Sequence, residues 1–195
     1  MGGAATVEGD ERLRLFLALE LPEGITDALR AWGEHHLERG RAVQTFHVTL
    51  AFLGHRPSSE LDAILGVLRE SAAETSPHTL APVRYRETRS VGMLVLDDPS
   101  GEATRLAERV QARLERLGVY RREARPWLPH VTVVRFRERP GLQPPLPETG
   151  TFVPSGAAAF LSRLHPSGAR YEVIESCPFG AARESRDGEQ VESGG

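Results

Sequence analysis

The chain has 195 residues, 39% hydrophobic and 26% charged, with a formal net charge of −3 at pH 7. That length can bury one sizeable core, and the charge balance excludes a globally basic nucleic-acid binder. No apolar run approaches the roughly 20 residues of a transmembrane helix, and residues 1–10 lack the basic and apolar regions of a signal peptide, so a cytoplasmic protein is expected.

Residue usage excludes further chemistry. Cys177 is the one cysteine, so neither an intrachain disulfide nor a cysteine-based zinc cluster can form. It stands before Pro178 and reads as a structural strand-end residue. All 24 basic residues are arginine. A chain without lysine cannot carry a lysyl-adenylate or a Schiff base, which rules out ATP-dependent joining through a covalent Lys–AMP.

In chain order, residues 12–21 place Leu13, Leu15, Leu17 and Leu19 on one side, the pattern of a strand with a buried face. Pro22 then opens a helix to about residue 38, with Ile25, Leu29, Trp32 and His36 or Leu37 on its apolar stripe. A strand is expected over 42–53, stopping at Gly54. Ser59-Glu60-Leu61-Asp62 resembles a capping box ahead of a helix whose stripe is Leu61, Ile64, Leu65 and Leu68. Residues 83–88 and 91–96 read as a hairpin, and 102–117 as a helix with Leu106, Val110, Leu114 and Leu117 aligned. Next come a strand over 128–137, a proline-rich loop over 140–154, and closing strands over 157–164 and 169–175, with a turn at His165-Pro166-Ser167-Gly168. Residues 1–11 and 181–195 are polar and are expected to be disordered tails around a single domain over 12–180. Strands outnumber helices and the order mixes hairpins with crossovers, which argues an α+β fold with antiparallel sheets.

The most informative pattern occurs twice: His47-Val48-Thr49-Leu50 and His130-Val131-Thr132-Val133, 83 positions apart. On a strand, residues i and i+2 share a face, so each copy points an imidazole and a hydroxyl one way and its apolar pair into a core. Two such strands side by side would bring together two imidazoles able to act as acid and base and two hydroxyls able to donate to an anionic oxygen. Either imidazole could take either role on this evidence. The other five histidines lack that setting. Between residues 105 and 139 ten arginines face four glutamates, and Arg121, Arg122 and Arg125 lie on the approach to the second motif as candidate contacts for an RNA backbone.

These motifs, the opening strand Arg14-Leu15-Phe16-Leu17-Ala18-Leu19 before Pro22, and a final hairpin from Leu161-Ser162-Arg163-Leu164 to Tyr171-Glu172-Val173-Ile174 resemble the two-histidine phosphoesterase superfamily. Within it the chain is most similar to the RNA 2′,3′-cyclic phosphodiesterases, also called 2′-5′ RNA ligases, over about residues 12–180. The resemblance implies a bilobal, pseudo-symmetric α+β fold of two ferredoxin-like lobes with antiparallel sheets flanking a central groove. It implies hydrolysis of RNA 2′,3′-cyclic phosphate ends to 2′-phosphomonoesters, reversible as 2′-5′ ligation, by a monomer without metal or other cofactor. His47 would be the proton donor to the leaving O3′, His130 the proton acceptor from water. Thr49, Thr132 and Arg135 would bind the phosphate. Simple alternation puts Arg135 on the face opposite His130, and a bulge or the strand end could bring it into the groove. Phe46 and Trp127 are candidates for stacking on a base, against an alternative role in core packing.

Two rival readings remain at this point. His47 and His130 with Asp97 or Asp98 could form a metal site of a metal-dependent phosphodiesterase, which would leave the threonines without a role. Alternatively the same fold could serve as a non-catalytic RNA- or nucleotide-binding module, for which the arginines alone would suffice.

Overall fold

The computed structural model describes residues 11–163 and 169–180. The expected tails and the turn at 165–168 lie outside the described residues. In order, the elements are β1 (Arg12–Glu20), α1 (Glu23–His36), β2 (Arg41–Ala42), β3 (His47–Pro57), a 3₁₀ turn (Ser58–Glu60), α2 (Leu61–Ala73), β4 (Ala81–Glu87), β5 (Val91–Asp97), α3 (Glu102–Arg116), β6 (His130–Arg135), β7 (Gly156–Arg163) and β8 (Arg170–Cys177). The strands form one eight-stranded sheet in the order β4-β5-β6-β3-β1-β7-β8, with β2 beside β6, and every pairing is antiparallel. The architecture is α+β, as the element order argues.

The amphipathic stripes explain the layering. Leu29 and Trp32 of α1, Ile64, Leu65 and Leu68 of α2, and Leu106, Val110 and Leu114 of α3 join Leu15, Leu17, Leu19, Val48 and Val131 in one main core. Burying these side chains supplies about 1.5–3 kcal/mol each before chain entropy is counted. The alternation in β1 hides a second buried face: Phe16 and Ala18 are as inaccessible as the leucines between them, and pack with Ala158 and Phe160 of β7 into a smaller cluster on the other side of the sheet. Cys177 ends β8 and is buried, its thiol pushed up to about 11 by burial first and then by the Glu175 carboxylate.

Three local expectations are corrected. The strand expected over 42–53 is two segments, because β6 pairs with Arg41–Ala42 near its end and with Val48 near its start, and the chain must loop between the two registers. Gly54 does not end β3; it takes φ +68° inside the strand, a conformation open to glycine at little cost, and pairing with β1 continues to Pro57. At the helix start the cap position is Glu60 rather than Ser59; Glu60 makes no side-chain cap hydrogen bond, and its carboxylate grips Arg56 at 2.6 and 2.8 Å.

Candidate active site

The site is built where β3 meets β6. The two strands pair at Val48 and Val131, which are 0% and 1% exposed and point into the main core. The residues on either side of that pair therefore point to the opposite, open face: His47 and Thr49 on β3, His130 and Thr132 on β6. Antiparallel register sets His47 across from Thr132 and His130 across from Thr49. All four are partly accessible while their neighbours Val48, Leu50, Val131 and Val133 are buried. The duplicated tetrapeptides thus form a pseudo-symmetric quartet without either histidine entering the main core.

A bulge decides the position of Arg135. Along β5 and β6 the register runs Leu94 with Val131 and Met93 with Thr132, then Gly92 with Val134, so Val133 is an extra residue. Both Val133 and Val134 are buried, and the phase of the strand shifts by one. Arg135 consequently lies on the same face as His130 and Thr132. The same device occurs in β3, where Ala18 pairs with Thr49 and Leu17 with Ala51, leaving Leu50 extra. It brings Phe52, 49% exposed, onto the face of His47 and Thr49. Each motif thus runs His-x-Thr-x-x, with an aromatic ring fifth after one histidine and a guanidinium fifth after the other.

The surroundings of the two histidines differ. The His47 ring lies 4.8 Å from the Phe16 ring, 5.4 Å from Tyr171 and 5.9 Å from Phe160, between centroids. Burial among these rings is the main reason its pKa falls from 6.5 to about 4; the Thr45 backbone partly opposes the shift, and the charges of Arg135 and His130 add to it. His47 is therefore neutral at pH 7. Its Nδ1 is buried and, among the described residues, has no hydrogen-bond partner in bonding geometry. The Nδ1–H of His130 donates to the Leu128 carbonyl at 2.8 Å. A carbonyl only accepts, so in the neutral ring the lone pair is on Nε2.

Side chains from other elements hold the quartet's backbone. Trp127 Nε1–H donates to the Thr49 carbonyl at 2.9 Å, and Gln111 of α3 donates to the carbonyl of the bulge residue Leu50 at 2.9 Å. The half-buried Trp127 ring packs against the main core. Phe46 is 7% exposed, within that core, and lines a cavity under α1 with Leu29, Gly33 and Leu37. Its stacking role is corrected: it precedes His47 by one residue, and alternation sends it to the buried side.

Sequence reasoning missed Phe16, Phe160, Tyr171 and Phe52. The signal for Phe16 was present, since it falls between the leucines of β1 and must face away from them. The other partners depend on which strands become neighbours. Of the arginines expected near the second motif, Arg125 pairs with Glu123 at 2.6 Å, and the Arg122 guanidinium reaches the Glu108 carbonyl at 3.2 Å. Asp98, a ligand in the metal reading, accepts from the Thr104 amide and hydroxyl at 2.8 Å and so fastens the start of α3. Among the described residues, no group of three or more His, Cys, Asp or Glu is arranged to hold a metal ion, and no helix is long and apolar enough to cross a membrane.

The fold and the quartet define a two-histidine phosphoesterase. The sequence profile of the 2′-5′ RNA ligase superfamily matches residues 20–160, and the chain belongs to that superfamily. Similar solved structures include E. coli LigT in apo form, 24% identical with a TM-score of 0.76 over 87% of this chain and 99% of that one. E. coli LigT complexed with 3′-AMP is 23% identical, with a TM-score of 0.77 over the same shares. The TT0787 protein of Thermus thermophilus is 28% identical, with a TM-score of 0.68 over 85% of this chain and 97% of that one. No curated protein sequence matches the chain.

Proposed function

We propose that the protein is an RNA 2′,3′-cyclic phosphodiesterase that opens cyclic phosphate ends to 2′-phosphomonoesters by acid–base catalysis from His47 and His130. The observation that carries this reading is the quartet: two imidazoles and two hydroxyls on one open face around the Val48–Val131 pair. A ribose 2′,3′-cyclic phosphate presents one strained ring and one negative charge, matching that inventory of groups.

In the proposed step His130 Nε2 takes a proton from water as the water oxygen bonds to phosphorus. The P–O3′ bond breaks, and O3′ leaves with a proton from His47. Thr49, Thr132 and Arg135 donate to the non-bridging oxygens where charge accumulates. The tautomer fixed by the Leu128 carbonyl supports His130 as acceptor. His47 as donor follows the family resemblance and requires that it gain a proton when the anion binds. The substrate's negative charge offsets the effect of Arg135, one cause of its low pKa. A 5′-hydroxyl in place of water would give a 2′-5′ linkage by the same bond changes. Phe52 offers a nucleobase an exposed ring on the groove face. A nucleotide substrate also agrees with the 3′-AMP complex of E. coli LigT.

The experiment is incubation of the full chain with 2′,3′-cyclic AMP in excess EDTA, followed by identification of the product isomer. The 2′-monophosphate is expected. Abolition by EDTA with rescue by a divalent metal, or a 3′-monophosphate as sole product, would overturn the reading.

A further inference from the structure

A cavity of about 900 Å³ opens at the Arg135 end of β6, and apart from Arg135 the two-histidine step uses none of its lining residues. Five arginines line it, Arg39, Arg41, Arg135, Arg137 and Arg139, with Glu138 as the one acid. Its volume falls within the range of small-ligand sites, roughly 300–1,000 Å³. The walls are fixed by local structure. Gly40, at φ +146°, lets β2 lie against β6, since a Cβ there would sit 2.9 Å from the Arg135 carbonyl oxygen. The Arg135 backbone is paired with Arg41 on one side and Val91 on the other. The opposite wall is anchored by Glu87, whose side chain is 2% exposed. It accepts from the amides of Gly141 and Leu142 at 3.0 and 2.9 Å and from Arg139 at 3.2 Å. That acid is thus occupied in holding the loop. Among the described residues Arg39 and Arg137 form no ion pair.

Arg135 belongs to both places: it lines this cavity, and its charge acts on His47. An RNA end whose 2′ and 3′ oxygens are tied up in the cyclic phosphate can leave the quartet only through its O5′, and the next groups along it are phosphodiesters. Guanidinium forks suit such oxygens. We infer that Arg39 and Arg137 form a subsite for the phosphates on the 5′ side of the cyclic end, so that oligonucleotides react more efficiently than mononucleotides. This rests on the reading of the quartet as a cyclic phosphodiesterase.

The test compares kcat/KM of the full chain for 2′,3′-cyclic AMP, its 5′-phosphorylated form, and an adenosine trinucleotide with a 2′,3′-cyclic end. The same series is run with the Arg39→Gln/Arg137→Gln double variant. The wild type should favour the trinucleotide by about tenfold or more, equivalent to about 1.4 kcal/mol. The double variant should lose that preference while its rate on 2′,3′-cyclic AMP, which also reports correct folding, stays within about twofold. The wild-type preference should shrink with added salt, and the variant should show a salt slope smaller by about one for each lost contact. No trinucleotide preference in the wild type, or an undiminished one in the variant, overturns the subsite. A 5′-phosphorylated mononucleotide as good as the trinucleotide assigns the cavity to a terminal phosphate and also overturns it. Failure of the wild type on all three substrates would instead defeat the phosphodiesterase reading itself.

Discussion

Trp127 donates its indole N–H to the main-chain carbonyl of Thr49, 78 residues earlier, at 2.9 Å. Just beyond the Val48–Val131 pair, two carbonyls of β3 thus have side chains as partners: Trp127 serves Thr49 and Gln111 serves Leu50. Trp127→Phe keeps the packing ring and removes the donor, and should cost about 1 kcal/mol of stability, the low end for a lost donor because the bond is only partly buried. The urea midpoint checks this. Turnover of 2′,3′-cyclic AMP should fall as well, by less than when a histidine is lost. A variant as stable and as active as the wild type would deny the contact any role.

His47→Ala and His130→Ala should each lower kcat by roughly 10²–10⁴-fold, the range for loss of a general acid or base. Thr49→Ala and Thr132→Ala should cost less, since each removes one of several donors to the same phosphate. Removing both histidines should cost much less than the product of the single effects, because the two act in one step. Steady-state kinetics decides; near-full activity in either single histidine variant would take that residue out of the reaction.

The desolvated, neutral state of His47 links stability to pH. Its pKa is 6.5 when unfolded and about 4 in the fold. Between those values the unfolded chain holds a proton that the folded chain lacks, so stability is full above pH 6.5 and falls as pH drops toward 4. The loss contributed by this residue approaches roughly 3 kcal/mol, at about 1.36 kcal/mol per pH unit. Urea unfolding of wild type and His47→Gln at pH 7.5 and 4.5 measures the difference. Equal pH dependence in both proteins would contradict the assignment.

Arg135→Gln removes one of the charges that depress His47, so the imidazole pKa should rise, as followed by NMR titration of its Cε1–H. The same variant should bind inorganic phosphate and 2′-AMP more weakly, because a guanidinium on the face of the quartet is lost. An unshifted titration would mean that the bulge at Val133 does not turn Arg135 toward the site.

A further kinetic consequence concerns pH profiles. The rate term kcat/KM reports the free protein and kcat the complex. With His47 as donor, the limb on which it loses its proton should lie at higher pH in kcat than in kcat/KM, because the bound anion favours the imidazolium. Superimposable limbs would argue that His47 gains no proton on binding.

Which residues share a face within each motif follows from the order of the amino acids alone. Alternation is a property of two adjacent peptide units, so His47 with Thr49 and His130 with Thr132 were legible, as were Val48 and Val131 behind them and the helical stripes at Leu106, Val110 and Leu114. Phase across a longer run was not legible. Arg135 and Phe52 reach the face of the quartet according to registers set by partner strands far along the chain, whereas Phe46 goes to the core by the same alternation that frees its neighbour His47. The bulges at Leu50 and Val133 exist because β1 and β5 offer one residue fewer than β3 and β6 bring. Tertiary structure alone also decided the difference between the two histidines. His47 is depressed because Phe16, Phe160 and Tyr171 come from β1, β7 and β8 to exclude water from it, whereas His130 has its tautomer set by a carbonyl two residues away. Local chemistry supplied two equivalent motifs, and desolvation by distant aromatic rings made them unequal.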